Sequence, residues 1–245
     1  MWNKAKARQI LLITDGCSNS GMDPVYVAQA AHEQGITVNV IGILDGGALG
    51  SKGEKEVENI AAAGGGMCRI VDSGQLKQTM QMMTRHTTQL TLQQVVNKEL
   101  RSLIGQEQEE LPPETRMKVA RFVDNLTDEI DLQLVVVIDG SASMQTKMAQ
   151  VQNAIRELDI SLDVRNGEHD LALLLYPGSN GEDVQVMNRF GEKAQLTNLA
   201  SRLTAQGCTP TGPALAVAVQ MFDLGSQWNE QPDAEGKGHF SKYVL

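Results

Sequence analysis

The 245-residue sequence is short of several things, and each shortage removes a class of protein. Cysteine is scarce: Cys17, Cys68 and Cys208 stand apart without metal or redox spacing, and an odd count of scattered thiols suits a reducing compartment. Aromatic residues make up 4%, so no stacking platform for bases is visible. Positive charge is in deficit, with 21 Lys and Arg against 30 Asp and Glu, and the net charge of -9 argues against nucleic acid or an anionic membrane as a partner. No apolar run approaches a membrane span. The basic start around Lys4, Lys6 and Arg8, followed by the apolar run 10–13, imitates a signal peptide, but the run stops too early at Thr14, Asp15 and Gly16. The expected setting is therefore cytoplasmic. His32, His86, His169 and His239 have no ligand spacing, and neither a Gly-x-Ser-x-Gly elbow nor a glycine-rich phosphate loop occurs.

What is present is ordinary in amount and specific in arrangement. A content of 41% hydrophobic and 21% charged residues fits a soluble globular protein, and the length allows one α/β domain or two small ones. The organising stretch is the run 132–138 (LQLVVVI), which reads as a strand buried on both faces in a parallel sheet. It leads into Asp139-x-Ser141-x-Ser143, small oxygen-bearing residues of the kind that hold a hard cation. The same residues also suit a turn fixed by side-chain to backbone hydrogen bonds, and the motif alone leaves both readings open.

Taken in order, the first 88 residues read β-α-β-α-β-α. A strand at 9–13 ends in Asp15; Asp23 and Pro24 open a helix over 25–34 that stops at Gly35; a strand follows at 36–43. A glycine-rich loop at 45–53, a helix at 54–63, the Gly64-Gly65-Gly66 break, a strand at 68–71 and a long helix from Ser73 complete this half. Residues 89–130 carry no strand signal. An apolar stripe at 92–104 and a second helix begun by Pro112 and Pro113 predict a helical hairpin joining two halves. Beyond the Asp139 strand come a helix at 148–158, a strand at 169–176, an antiparallel strand at 184–188, a helix at 195–203, and the loop 207–215 feeding a helix to about 222. Met80, Met82 and Met83 read as core and flank of one helix.

Asp139, Ser141 and Ser143 after a buried strand, Thr209 in Gly-x-Thr-x-Thr-Gly, and Asp15 in Ile-Leu-Leu-Ile-Thr-Asp-Gly together resemble the metal-ion-dependent adhesion site of von Willebrand factor A domains. That resemblance implies a Rossmann-like α/β fold with a doubly wound, mostly parallel sheet. It also implies a bound Mg2+ or Mn2+ held by Asp139, Ser141, Ser143, Thr209 and Asp15, directly or through water. An ordinary A domain begins with the Asp-x-Ser-x-Ser strand. Here the Thr-Asp-Gly half comes first, so the expectation is one circularly permuted domain: residues 1–88 as the family's C-terminal half, 89–130 as a helical connector, and 131–245 as its N-terminal half. In strand order 3-2-1-4-5-6 the Asp15 and Asp139 strands would be neighbours at the switch point, where ligands bind. The whole pattern is similar to the small YabS-type A-domain proteins of endospore-forming bacteria, which implies a cytoplasmic bacterial setting and a link to sporulation.

The function this implies is a non-catalytic, divalent-metal-dependent protein-binding module whose metal captures an acidic residue of a partner. A magnesium-dependent phosphohydrolase using Asp139 as nucleophile is the enzyme alternative, weakened by Ser141 standing where a second Asp is usually needed. An accessory subunit of an ATPase complex is the third reading. Thr211 is expected to cap a helix starting at Pro213, and Cys17 and Cys208 to pack at the rim. Because 9–13 and 242–245 both resemble the strand beside Asp139, and only one can occupy that place, 9–13 is expected to win. Closure within one chain, as a monomer, is favoured over a domain-swapped dimer.

Overall fold

Strands that are apolar at almost every position have to be covered on both faces, and helices do the covering here. The computed structural model describes residues 6–44, 51–192, 203, 205 and 207–228. Among these residues six strands, β1 (Lys6–Thr14), β2 (Thr37–Ile43), β3 (Gly65–Val71), β4 (Asp131–Asp139), β5 (His169–Tyr176) and β6 (Gln185–Asn188), form one sheet in the order β3-β2-β1-β4-β5-β6. All neighbours are parallel except β5 and β6, which are antiparallel as expected. The fold is α/β and doubly wound. Strand β1 pairs with both β2 and β4, so residues 9–13 do take the place beside the Asp139 strand. Residues 242–245 lie outside the described set.

The two-residue period of each strand splits the core. Leu11 and Ile13 of β1, Leu134, Val136 and Ile138 of β4, and Leu173 and Leu175 of β5 face one layer. That layer is closed by α3 (Leu76–Ile104), α4 (Pro113–Leu126) and α5 (Met148–Asp163). Ile10 and Leu12, Val135 and Val137, and Ala172 and Leu174 face the other, closed by α1 (Pro24–Glu33), α2 (Ser51–Ala63) and α6 (Thr211–Trp228). Fully burying each such aliphatic side chain contributes roughly 1.5–3 kcal/mol, and that reserve lets the strand ends carry buried charge.

Local signals explain most element ends. The Asp23 side chain accepts from the Val25 amide with Pro24 in the first turn of α1, and Gly35 adopts φ 74 just beyond it. The sequence expectation is corrected at α3. It is one 29-residue helix running without a break across the expected junction at 88/89, so the connector continues a sheet-packed helix and does not start a new one. One face of its first half is buried as far as Leu92; its second half, mostly exposed beyond Val96, ends at Gly105 and is followed by α4 leading to β4. The helix expected at 195–203 falls on residues outside the described set, apart from the buried Leu203.

A polar seam fixes α3 on the sheet. Gln9 and Asn39, both essentially without solvent exposure, point from β1 and β2 into the layer under α3. Gln9 Nε2 donates to Thr88 Oγ1 at 2.9 Å and to the Thr84 carbonyl at 3.3 Å. Asn39 Oδ1 accepts from Thr87 Oγ1 at 3.1 Å and from the Met67 amide at 3.0 Å. The second bond holds β3 at an irregularity in its pairing with β2, where a side chain at Gly66 would run into the Val38 carbonyl. Losing the shared acceptor strands the buried Thr87 hydroxyl and the half-buried Met67 amide, at about 1–3 kcal/mol for a buried unsatisfied group. Asn39→Ala is therefore expected to lower the free energy of unfolding in urea by a few kcal/mol. An unchanged midpoint and slope would mean that apolar packing alone seats α3.

Candidate functional site

The sheet reverses its winding between β1 and β4, the place where an open α/β sheet leaves a crevice at its carboxyl edge. Residues Ile13 and Ile138 are paired in register, so Asp15 and Asp139 emerge at that edge together. Asp139 ends β4, and Asp15 follows the last residue of β1.

Asp139 has no solvent exposure and is held through both oxygens. Its Oδ2 accepts from Thr14 Oγ1 at 2.6 Å, and its Oδ1 accepts from the Ser141 amide at 2.8 Å. The Ser141 and Ser143 hydroxyls lie 3.1 Å apart, either able to donate. Ser143 Oγ donates to Asp15 Oδ1 at 2.7 Å, and Lys147 Nζ donates to Asp15 Oδ2 at 2.5 Å. The Asp15 and Lys147 side chains are 1% and 11% exposed, so this pair is shielded from solvent and salt. The turn that carries these groups is a 3-10 segment, Ala142–Thr146, between β4 and α5, capped inward by the buried Met144.

Four of the five residues named from the sequence (Asp15, Asp139, Ser141 and Ser143) thus form one continuous chain of polar contacts. Thr209 sits on the neighbouring loop, 7% exposed, and is tied to the loop after β1. Its amide donates to Asn19 Oδ1 at 2.9 Å, and the Asn19 amide donates back to its carbonyl at 3.2 Å. The two loops close tightly. A side chain at Gly212 would collide with the Met22 carbonyl, and one at Gly21, which has φ 83, with the Pro213 ring. Ser18 anchors the same loop to α2 by donating its amide to Glu56 Oε1 at 2.6 Å.

Thr211 departs from expectation. It is the first residue of α6 and not a cap ahead of Pro213, and its hydroxyl is buried without a hydrogen-bond partner. It lies near the buried Tyr176 hydroxyl, which in turn is close to Thr14 and Asp139; among the described residues neither hydroxyl makes a hydrogen bond of full geometry. Burial, then the charge of Asp139, pushes the Tyr176 phenol well above its ordinary range, so it stays protonated. Cys17 and Cys208 flank the site as free thiols; Ser20 Oγ lies 3.8 Å from Cys208 Sγ. Burial, then Glu56, pushes the Cys17 thiol up, which leaves little thiolate for redox chemistry.

Sequence reasoning does not single out Thr14, Lys147 or Tyr176. Thr14 precedes the recognised Asp15, and Lys147 looks like any exposed lysine opening a helix. Only the pairing of β1 with β4 shows that one holds Asp139 and the other reaches Asp15.

The donor set is two carboxylates and hydroxyls, all hard oxygens. That chemistry suits Mg2+ or Mn2+ and gives no nitrogen or sulfur preference. Among the described residues no cluster of three or more His, Cys, Asp or Glu side chains gathers, so an ion here would depend on the hydroxyls as well.

Comparison with known proteins identifies the family and the fold. The sequence model of the von Willebrand factor type A domain matches residues 3–85 and 133–235, on either side of a gap spanning the end of α3 and all of α4. An uncharacterized protein of Bacillus subtilis (strain 168), YabS, is 45% identical over 223 residues, covering 90% of this chain and 91% of its own. The crystal structure of an uncharacterized protein from Alicyclobacillus acidocaldarius is 45% identical, covers 93% of this chain and 98% of its own, and superposes with a TM-score of 0.88.

The ionisation of Asp139 gives a test that does not depend on a ligand. Burial raises its pKa above the ordinary 3.8, the Thr14 and Ser141 hydrogen bonds pull it down, the Asp15 charge adds to the rise, and the net direction is up. A carboxyl raised on folding contributes stability that is complete below its unfolded value and lost as pH climbs through its folded value. In EDTA, Asp139→Asn should therefore melt at or above the native protein at neutral pH, with the gap narrowing as pH falls toward about 4. A variant that melts well below native at neutral pH would show that the charge itself holds the loop.

Proposed function

Because the chain belongs to the von Willebrand factor type A domain family, we propose that it is a metal-dependent protein-binding module. In this reading Asp139, Ser141, Ser143, Thr209 and Asp15 hold a Mg2+ or Mn2+ ion, directly or through water. The observation that carries the reading is the unbroken contact chain Thr14–Asp139–Ser141–Ser143–Asp15 at the switch point. Two carboxylates balance a divalent ion while the hydroxyls add no charge, so the ion keeps its affinity for a further anionic oxygen. A partner's Asp or Glu supplies that oxygen, and the partner binds only when the metal is present. The earlier position of the Asp15 half, with α3 and α4 between the two matched segments, supports reading the chain as one circularly permuted A domain closed within itself.

The hydrolase alternative finds less support. A nucleophilic carboxylate has to reach its substrate, yet Asp139 is without exposure and engaged at both oxygens, and Ser141 supplies no carboxylate for acid and base work. Service as an accessory to an ATPase complex uses the same metal chemistry and differs only in the partner recovered. A cytoplasmic setting and a role linked to sporulation belong to the reading through the likeness to proteins of endospore formers; among the described residues no helix is long and apolar enough to cross a membrane.

The test is an affinity capture from lysate with magnesium or with EDTA, using the native chain and Asp139→Ala. The expected result is a partner retained by the native chain in magnesium and lost in both other conditions. Retention unchanged by EDTA and by Asp139→Ala would overturn the proposal.

A further inference from the structure

We propose that Lys147 is a built-in cation that balances the charge of this site when no metal is bound and must leave Asp15 when a divalent ion enters, so that it sets the site's metal affinity. The inference rests on the metal-binding reading above and adds its control.

The geometry is that of a counter-ion already seated. Lys147 Nζ contacts Asp15 Oδ2 at 2.5 Å, while Ser143 occupies Oδ1, so both oxygens of a side chain only 1% exposed are taken. The backbone of Lys147 is fixed at the start of α5: its amide donates to the Met144 carbonyl, and its own carbonyl accepts from Gln150 and Val151 at 3.0 and 3.1 Å. The ammonium is therefore delivered by a rigid turn and not by a free surface residue. It pairs with Asp15, whose charge also acts on Asp139, and the amino end of α5 adds a further partial positive charge.

A divalent ion entering beside this ammonium meets a like charge with almost no water between, where repulsion is poorly screened. The lysine side chain has four rotatable methylenes and a strongly hydrated head, so swinging out to solvent is its easiest response. Seating the metal then costs the ion pair that the metal-free site gains, which weakens binding while keeping the empty site assembled. The same exchange couples metal entry to the exposure of a positive group at the rim, where an acidic partner residue docks.

Two measurements test this. Isothermal titration with Mg2+ and Mn2+ compares native, Lys147→Gln and Lys147→Arg. The glutamine variant should bind roughly tenfold tighter, the change that about 1.4 kcal/mol of removed opposition produces, and the arginine variant no tighter than native. In the native chain, reductive methylation of Lys147 followed by mass spectrometry should speed up several-fold when metal is added, a readout that needs no variant to fold. Native and glutamine chains that bind metal equally, an arginine variant as tight as the glutamine one, or labelling of Lys147 unaffected by bound metal would overturn the role of Lys147 and leave the metal site standing. Binding of neither ion to any of the three chains would overturn the metal site itself and this inference with it.

Discussion

Everything at the carboxyl edge depends on the parallel pairing of β1 with β4. That register delivers two carboxylates, Asp15 and Asp139, to one crevice, where both side chains are almost wholly withdrawn from water. Bringing like charges out of water is strongly unfavourable unless each is hydrogen-bonded and balanced, and the surrounding residues answer that requirement in order. Thr14 and the Ser141 amide serve Asp139, Ser143 and Lys147 serve Asp15, and the two serines link the carboxylates. A site so constructed costs stability, and the two apolar layers of the sheet supply it.

The rest of the molecule keeps that edge in register. The polar seam of Gln9, Asn39, Thr87 and Thr88 orients α3 between its apolar contacts at Leu76, Met80, Met83 and Leu92, and the helix runs on from there as the first arm of the connector. On the far side Gly212 and Gly21 let the Thr209 loop close against the loop after Asp15, with Asn19 bonding Thr209 through amide and side chain. The hydroxyls of Tyr176 and Thr211 are buried near Thr14 and Asp139, so the polar lining of the site continues into the core between β5 and α6.

Much of this was legible in the residues. Apolar runs ending in Asp15 and Asp139 fix the central strands because a buried parallel strand has to be apolar on both faces, and the capping pattern around Asp23 and Gly35 fixes α1. The antiparallel turn before β6 and the winner between 9–13 and 242–245 for the central place followed from similar arguments. What escaped is what only long-range contact defines. The continuity of α3 is hidden in the sequence because Thr84, Thr87 and Thr88 face Gln9 and Asn39 in place of apolar partners, so the apolar stripe lapses after Met83 and resumes near Leu92. Thr211 looked like a cap because its polar side chain sits at a helix start, yet it points into the core. Lys147 was invisible because nothing along the chain says that a lysine opening a helix reaches back to a carboxylate on another strand.

The central claim is that these oxygens form one cation site. Anomalous diffraction from crystals grown with Mn2+ tests it most directly, since the ion's position is read without reference to any partner or activity. The account predicts a single strong peak in the crevice between β1 and β4, with serine oxygens of the Asp139 turn at about 2.0–2.3 Å and the carboxylates directly or through water. The Lys147 ammonium should be withdrawn from Asp15 in that structure. A fully ordered crevice with Lys147 still on Asp15 and no manganese beside the serines, at saturating metal, would contradict it.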